Sequence, residues 1–294
     1  MNKEIKSYLY KHYRKSRNLI SNDNLSYFLE KDSILVHFHD FSKNWGDYIN
    51  RFLFEEISGK KVASAKRIYN WKKKEVFFGV GSILQRNLSN SVIWGSDFVK
   101  PISRIENKPK KVLALRGVLS AEIFHDSNIE FNKVYGDPAL LFSEIYKPTL
   151  NSEFKLGIIP HYTEMNFFAK HYKFFIKNNI NIINPLVSGN DHYQFIDEIL
   201  KCENIVSSSL HGLIIADTYS IPSSRFVFEK NEIQGGDFKY SDYYSGVGIK
   251  DFNTIRINSS SPNNFLGLEQ DAEKKILSFS PEILRDSLIN HFLD

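Results

Sequence analysis

Three serines and one histidine stand directly ahead of an apolar run in SSSLHGLIIADTYSIP, residues 207 to 222. A turn that only joined a strand to a helix would need little more than a cap and a glycine. With a helix beginning near His211, the hydroxyls of Ser208 and Ser209, and the first N–H groups around Leu210, form a cradle of the kind that holds phosphate. An imidazole titrates near pH ~6.5, so His211 is suited either to donate a hydrogen bond to that phosphate or to move a proton. The same residues also read as an ordinary serine cap followed by a structural histidine.

Other reactive or charged side chains fall where apolar runs end. Arg116 closes KVLALR, and its guanidinium fork suits bidentate capture of a carboxylate or phosphate; an interdomain ion pair is the alternative. Asn44 and Asp47 open a helical stretch in NWGDYIN, where Asp47 sits well with the helix dipole whatever its purpose. GVGS, residues 79 to 82, permits close backbone approach at Gly79 and Gly81 without being a full dinucleotide fingerprint. His161 ends IIPHY and is a second candidate proton carrier, with a structural role as its alternative. His37 and His39 share a strand face and are expected to pack or hydrogen-bond there rather than react.

To bring these groups together the chain must build sheets. Its 294 residues suffice for one large domain or two of ordinary size, and 42% hydrophobic with 24% charged residues is a soluble globular balance. No apolar run is long enough to cross a bilayer, and the basic N-terminus lacks the pattern of a secretory signal, so a cytoplasmic location is expected. One cysteine, Cys202, excludes an internal disulfide and reads as a buried small residue; no zinc spacing occurs, and no metal or cofactor is expected. A net charge of +4, with lysines and arginines scattered, does not indicate nucleic-acid binding. The basic and aromatic residues between Lys3 and Arg17 suit either a solvated helix or contact with the anionic inner face of a membrane.

From residue 33 onward, short runs rich in Val, Ile and Phe alternate with segments of helical period, the signature of parallel sheets with crossover helices. Strands are expected at 33–41, 60–65, 75–80, 91–95 and 111–116, with a helix after Asn44 that ends before Gly59 and another over VLSAEIFHD. A polar break at Pro148, Asn151 and Ser152 divides the chain into domains 1–150 and 151–294. The second series comprises strands at 155–162, 180–186, 204–209 and 223–228 with a helix after each of the first three. A final amphipathic segment, SPEILRDSLINHFL, is free to pack on either half. Ligands of such sheets bind beyond the strands' C-terminal ends, where all the candidates above fall.

Taken in order, NWGDYIN, GVGSIL, WGSDF, ALRGVLS, GDPALLF, GIIPHY, IVSSSLHGLIIADTYSIP and KYSDYYSGVG resemble the polysaccharide pyruvyl transferase family over about residues 34 to 250. The resemblance implies an α/β, GT-B-like fold, with two Rossmann-like domains facing each other across a cleft. It implies phosphoenolpyruvate as donor and, as acceptor, a sugar or lipid-linked oligosaccharide on the way to a bacterial surface polysaccharide, converted to a pyruvate ketal. Arg116 and the Ser208–Ser209 turn are then expected at the donor's anionic groups, with Lys239 assisting. His211 is expected to act as acid or to polarise the phosphate bridge, and Asp47, with His161 as second candidate, to contact the acceptor hydroxyl. Asn44, Gly81, Leu210 and Tyr243 complete the expected substrate contacts, with Trp45, Trp94 and Tyr243 as possible platforms for sugar rings. Some relatives carry Arg where this chain has Ser209, so a second anion contact has to come from elsewhere. The segment KYSDYYSG otherwise reads as a turn anchored by aromatic packing.

Two other readings remain open on the sequence. A glycosyltransferase of the same fold would use a nucleotide sugar, although no ribose-binding acidic motif stands out. A non-catalytic partner would bind the polysaccharide precursor and scaffold its synthesis.

Overall fold

In a computed structural model of the chain, which describes residues 32–39, 43–68, 70–186, 191–229, 235–258 and 260–293, the alternating runs form two five-stranded parallel sheets. The basic segment between Lys3 and Arg17 lies outside the described residues.

The first sheet contains β1 (Ile34–Val36), β2 (Val62–Ser64), β3 (Val76–Phe78), β4 (Ser91–Trp94) and β5 (Lys111–Ala114), in the order β2-β1-β3-β4-β5. Its strands are buried on both faces, as parallel strands under crossover segments must be. Helix α1 (Trp45–Ser58) starts at Asn44, whose side chain accepts a hydrogen bond from the Gly46 N–H at 3.2 Å. It stops at Gly59, which takes the left-handed conformation (φ 66°) that a helix terminus favours. Helix α2 (Val118–Asp126) follows β5 and coincides with VLSAEIFHD.

The second sheet contains β6 (Leu156–Ile159), β7 (Ile180–Ile182), β8 (Ile205–Ser207), β9 (Ser223–Phe228) and β10 (Thr254–Ile257), in the order β10-β9-β8-β6-β7. The single helix expected after β6 is divided at His171 into α3 (Met165–Lys170) and α4 (Tyr172–Lys177). Both press their phenylalanines inward, Phe168 and Phe175 being fully buried among Phe226, Phe228 and Phe265. Helices α5 (Tyr193–Leu200) and α6 (Leu210–Thr218) flank β8. The aromatic segment after residue 237 is a helix, α7 (Phe238–Gly246), and not the turn its composition suggests; Lys239, Tyr240, Tyr243 and Tyr244 all bury there. Strand β10 is a further element that composition did not single out.

The C-terminal helix α8 (Pro281–Leu293) returns to the first sheet: Leu284 and Leu288 are buried with Trp94 and Leu113, and the Trp94 indole N–H donates to the Leu284 carbonyl at 2.9 Å. One apolar cluster runs through both halves, joining Trp45, Ile49, Leu140 and Phe142 to Ile159, Leu213, Tyr240 and Tyr243. Burial on this scale makes each half depend on the other for stability.

Candidate functional site

Because each sheet is parallel, its strand ends share one edge, and the candidate residues lie at those two edges. Beyond β5, Arg116 is completely buried. Its Nη1 lies 2.8 Å from Asp97 and its Nε 2.8 Å from Asp137, while Nη1 also donates to the Ser82 hydroxyl at 3.1 Å. These carboxylates come from the loops after β4 and before the short helical turn at Pro138–Leu141, so the ion pairs are internal to the first half rather than interdomain. The guanidinium is therefore already occupied on two sides; Nη2 is buried without a hydrogen-bond partner. Burial drives the Asp97 carboxyl above the usual range against the pull of Arg116.

From the second half, the β8–α6 turn brings His211 to Asp137: its Nε2 lies 3.9 Å from Asp137 Oδ2 and has no hydrogen-bond partner among the described residues. The imidazole packs directly on Gly46 in the first turn of α1, where a Cβ would overlap the ring and force a shift. Burial lowers its pKa to about 4, partly offset by Asp137 and reinforced by Arg116 and Lys239. His211 is thus a neutral imidazole at neutral pH. An acid role requires a ligand or substrate to supply its proton.

The serine turn divides its work. Ser208 is buried, its hydroxyl donating to Glu164 Oε2 and accepting from the His161 N–H at 2.8 Å, so it turns away from the phosphate cradle expected of it. Ser207 bonds the Ile159 and Ser209 carbonyls at 2.9 and 2.8 Å, fixing the turn. Ser209 is the N-cap of α6 without a side-chain capping bond, and Leu210 is buried as the first helical residue. His161 stacks beside Tyr162, with Nδ1 2.7 Å from the Thr163 hydroxyl, and burial and then Lys239 lower its pKa to about 4.

Lys239, on α7, is the charge common to both sides. It is nearly buried and burial lowers its pKa to about 8, with Asp97 and Glu164 opposing and Arg116 and Arg225 reinforcing that shift. Among the described residues no carboxylate comes within ion-pair distance of it, though its Nζ stands 5.1 Å from the Tyr240 ring.

On the α1 side, Asn44 caps the helix and bridges to Leu186. Asp47 lies half-buried in the first turn, its Oδ1 about van der Waals distance from where a Cβ on Gly81 would stand; Gly81 itself has φ +122°. Tyr243, expected at the substrate, is instead wholly buried, its hydroxyl donating to Asp217 at 3.1 Å. Trp45 and Trp94 are likewise fully buried and offer no surface to a sugar ring. The reason is shared: these aromatic residues fall on faces turned into the apolar clusters.

Several polar residues of the site carried no role in the sequence reading. Asp97 and Asp137 belong to WGSDF and GDPALLF, which signalled a motif but not a function. Glu164 is buried with Oε1 unpartnered, and burial raises its pKa. Arg225 interrupts the apolar strand SSRFVF just as Arg116 interrupts KVLALR; it is buried, pairs with Asp237 at 2.6 Å and stacks on Tyr240 at 3.8 Å. Asn50 clamps the glycine turn, accepting from the Val80 N–H at 2.8 Å and donating to its carbonyl at 2.9 Å.

Two parallel Rossmann-like sheets, with cations, imidazoles and buried carboxylates gathered at their strand ends, define an α/β protein. A family model for polysaccharide pyruvyl transferase matches residues 2–226, and the chain belongs to that family of transferases. It is 28% identical over 249 residues to the uncharacterized protein L143 of Acanthamoeba polyphaga mimivirus, covering 80% of this chain and 83% of that one. A solved structure of an uncharacterized Klebsiella pneumoniae protein superposes with a TM-score of 0.48 at 13% identity, covering 81% of this chain and all of the other. The family supports pyruvyl transfer in polysaccharide synthesis.

Proposed function

We propose that the chain transfers the three-carbon unit of phosphoenolpyruvate to two hydroxyls of one sugar, forming a cyclic pyruvate ketal and releasing phosphate, in a GT-B-like cleft between its two halves. The observation that carries this reading is that three groups from different elements lie within reach of one another's charge: Lys239, without an ion pair among the described residues, and Arg116 Nη2 and His211 Nε2, both buried without a hydrogen-bond partner among them. A buried ammonium without a counter-ion is costly, and a bound dianion relieves that cost. Phosphoenolpyruvate brings a phosphate and a carboxylate, which Lys239, the Ser209 hydroxyl and the N–H groups opening α6 are suited to receive. Lys239 then supplies the cationic contact absent at Ser209.

In the reaction the donor's CH2 carbon gains a proton and becomes a methyl group. Its neighbouring carbon forms one C–O bond to each sugar hydroxyl and loses its bond to the phosphate oxygen. Of the two hydroxyl protons, one balances the methyl and one leaves with phosphate. His211, neutral when free, accepts a proton as a hydroxyl attacks, or hydrogen-bonds the bridging oxygen; once the donor's negative charge is beside it, it holds that proton more firmly. Asp47, at the open end of α1, orients the acceptor hydroxyl. Glu164, which burial holds above the ordinary carboxyl range, lies within reach of the Lys239 charge.

The acceptor is a sugar, free or lipid-linked, of a bacterial surface-polysaccharide precursor. The test is to supply phosphoenolpyruvate and, separately, nucleotide sugars with candidate acceptors. Acceptor-dependent release of inorganic phosphate and an acid-labile carboxylate on the product are expected. Release of nucleotide instead would assign a glycosyltransferase, and wild-type polysaccharide modification by a His211→Ala strain would assign a scaffold.

A further inference from the structure

The outer face of α3 and α4 carries a chemistry unlike the rest of the second half. Their inner residues, Phe168 and Phe175, are fixed in the phenylalanine cluster, which turns the intervening residues outward. Lys170, Lys173 and Lys177 are all exposed, and Tyr172 and Ile176 lie exposed among them at 52% and 40%. Between Met165 and Asn179 there is no aspartate or glutamate. None of the three lysines has an ion-pair partner among the described residues. The chain enters α3 from the rim of the candidate site through Tyr162, itself 45% exposed, its ring tilted against that of His161 at 4.4 Å between ring centres.

We propose that this face docks on an anionic lipid bilayer. Lys173 and Lys177, four residues apart, lie on one side of α4, and the exposed Lys170 ends α3 just before it; their stems can bury alongside apolar atoms while their heads reach lipid phosphates. An exposed tyrosine and isoleucine between them are the amphipathic and aliphatic groups that enter the headgroup boundary. A helical face of this kind suits a plane, whereas a small anion would require a concave site. Docked this way, the Tyr162–His161 rim comes close to the membrane, where a lipid-carried acceptor would be presented. That consequence rests on the proposed function; the docking itself rests only on the surface.

The test is sedimentation of the full chain with vesicles of phosphatidylcholine alone or mixed with phosphatidylglycerol. Binding to the mixed vesicles, weak binding to neutral ones, and loss of binding at high salt are expected. The K170E/K173E/K177E variant is expected to lose about a hundredfold in partition, three lysines each contributing near the surface. Y172S/I176S is expected to weaken binding without changing its salt dependence. The control K72E/K73E/K74E, which reverses three lysines of the first half, is expected to bind as wild type. Wild-type binding by K170E/K173E/K177E would overturn the proposal and pass the role to another segment, as would absence of binding by the wild-type chain or equal binding to both vesicles. Phosphate release with a water-soluble acceptor, measured in parallel, separates the outcomes: its absence in the wild type counts against the transferase reading and leaves the docking result intact.

Discussion

Arg116 and His211, contributed by different halves of the chain, approach the same oxygen, Oδ2 of Asp137, at 2.8 and 3.9 Å. Asp137 therefore neutralises the arginine while facing an imidazole held neutral by burial. The aspartate is also the N-cap of the turn at Pro138, accepting from the Ala139 N–H at 2.9 Å, which limits how far it can move. This geometry gives Arg116 two tasks: holding the carboxylates of its own half and presenting Nη2.

Removing the guanidinium exposes the first task. Arg116→Ala leaves Asp97 and Asp137 buried beside each other with no cation between them, and a loss of about 3–5 kcal/mol is expected for breaking a buried pair in this way. Urea unfolding measures it. Unchanged stability would mean that the carboxylates find other partners and that the ion-pair account is wrong.

Gly46 leaves the room that the His211 ring occupies. A methyl group there meets the His211 ring, which must shift. Displacement of a reacting group by about 1 Å costs on the order of a hundredfold in rate, so Gly46→Ala is expected to lower kcat by at least that factor, with a fall in Tm as well because the packed ring must move. A variant with full activity would remove His211 from the reaction.

Lys239 is expected to set the alkaline side of the pH profile. Its pKa of about 8 lies below the unfolded value, and the ammonium needed to hold an anion is lost as pH rises through about 8. The free-enzyme profile of kcat/KM is expected to fall there. Lys239→Arg, which stays charged, should move that limb upward, and Lys239→Met should cost about a hundredfold or more at pH 7. The same depressed pKa makes the unfolded chain bind the extra proton between pH 8 and its ordinary lysine value, so this group favours folding more as pH rises across that window.

Much of the fold was legible because local signals agree: Asn44 and Gly59 bracket α1, VLSAEIFHD is α2 to the residue, and SSRFVF is β9. Period and capping chemistry are local, and a single sequence carries them. The segment around Lys239 was harder: Tyr240, Tyr243 and Tyr244 fall at the i, i+3, i+4 spacing of one helical face, but Lys239 and Asp242 bury beside them, and charged residues at buried positions mask the stripe. The site was legible in outline, through residues that interrupt apolar runs. Which of those side chains are free was not, since that depends on partners distant in sequence: Ser208 is taken up by Glu164, Arg116 by Asp97 and Asp137, and Tyr243 by Asp217. The same interruption rule, applied evenly, would have found Arg225.

Acid should destabilise the chain through its histidines. Burial lowers His37 to about 3 and His161 and His211 to about 4, all below the unfolded value. Their contribution is complete above pH ~6.5 and is lost as pH falls through their folded values, because the unfolded chain takes up protons first. His37 permits a clean test, since both its ring nitrogens are buried without hydrogen-bond partners among the described residues and it stacks on Phe78 at 4.9 Å. His37→Phe is expected to raise stability by about 1–2 kcal/mol at neutral pH and to flatten the fall in Tm between pH 6.5 and 4. An unchanged acid limb would place the titration elsewhere.

Helix α2 is capped from the other half of the chain. Gly117 provides no side chain at its N-cap; instead Asp242 of α7 accepts from the Ser120 N–H at 2.7 Å and from its hydroxyl at 2.9 Å, and Ser245 accepts from the Val118 N–H at 2.9 Å. The approach is so close that a Cβ on Gly117 would strike the Asp242 carbonyl. The Gly117 φ of −152° is open to any residue, so steric contact with α7, and not backbone strain, demands glycine here. Asp242→Ala removes a cap and leaves buried donors unpaired, a loss of about 1–3 kcal/mol, and Asp242→Asn should recover part of it by accepting through its amide oxygen. Gly117→Ala must push α7 away from α2, carrying Lys239 with it. Its activity is therefore expected to fall more steeply than its stability, whereas Asp242→Asn, which keeps the spacing, should retain most of both; equal retention of activity by Gly117→Ala would show that the α2–α7 seam does not position Lys239.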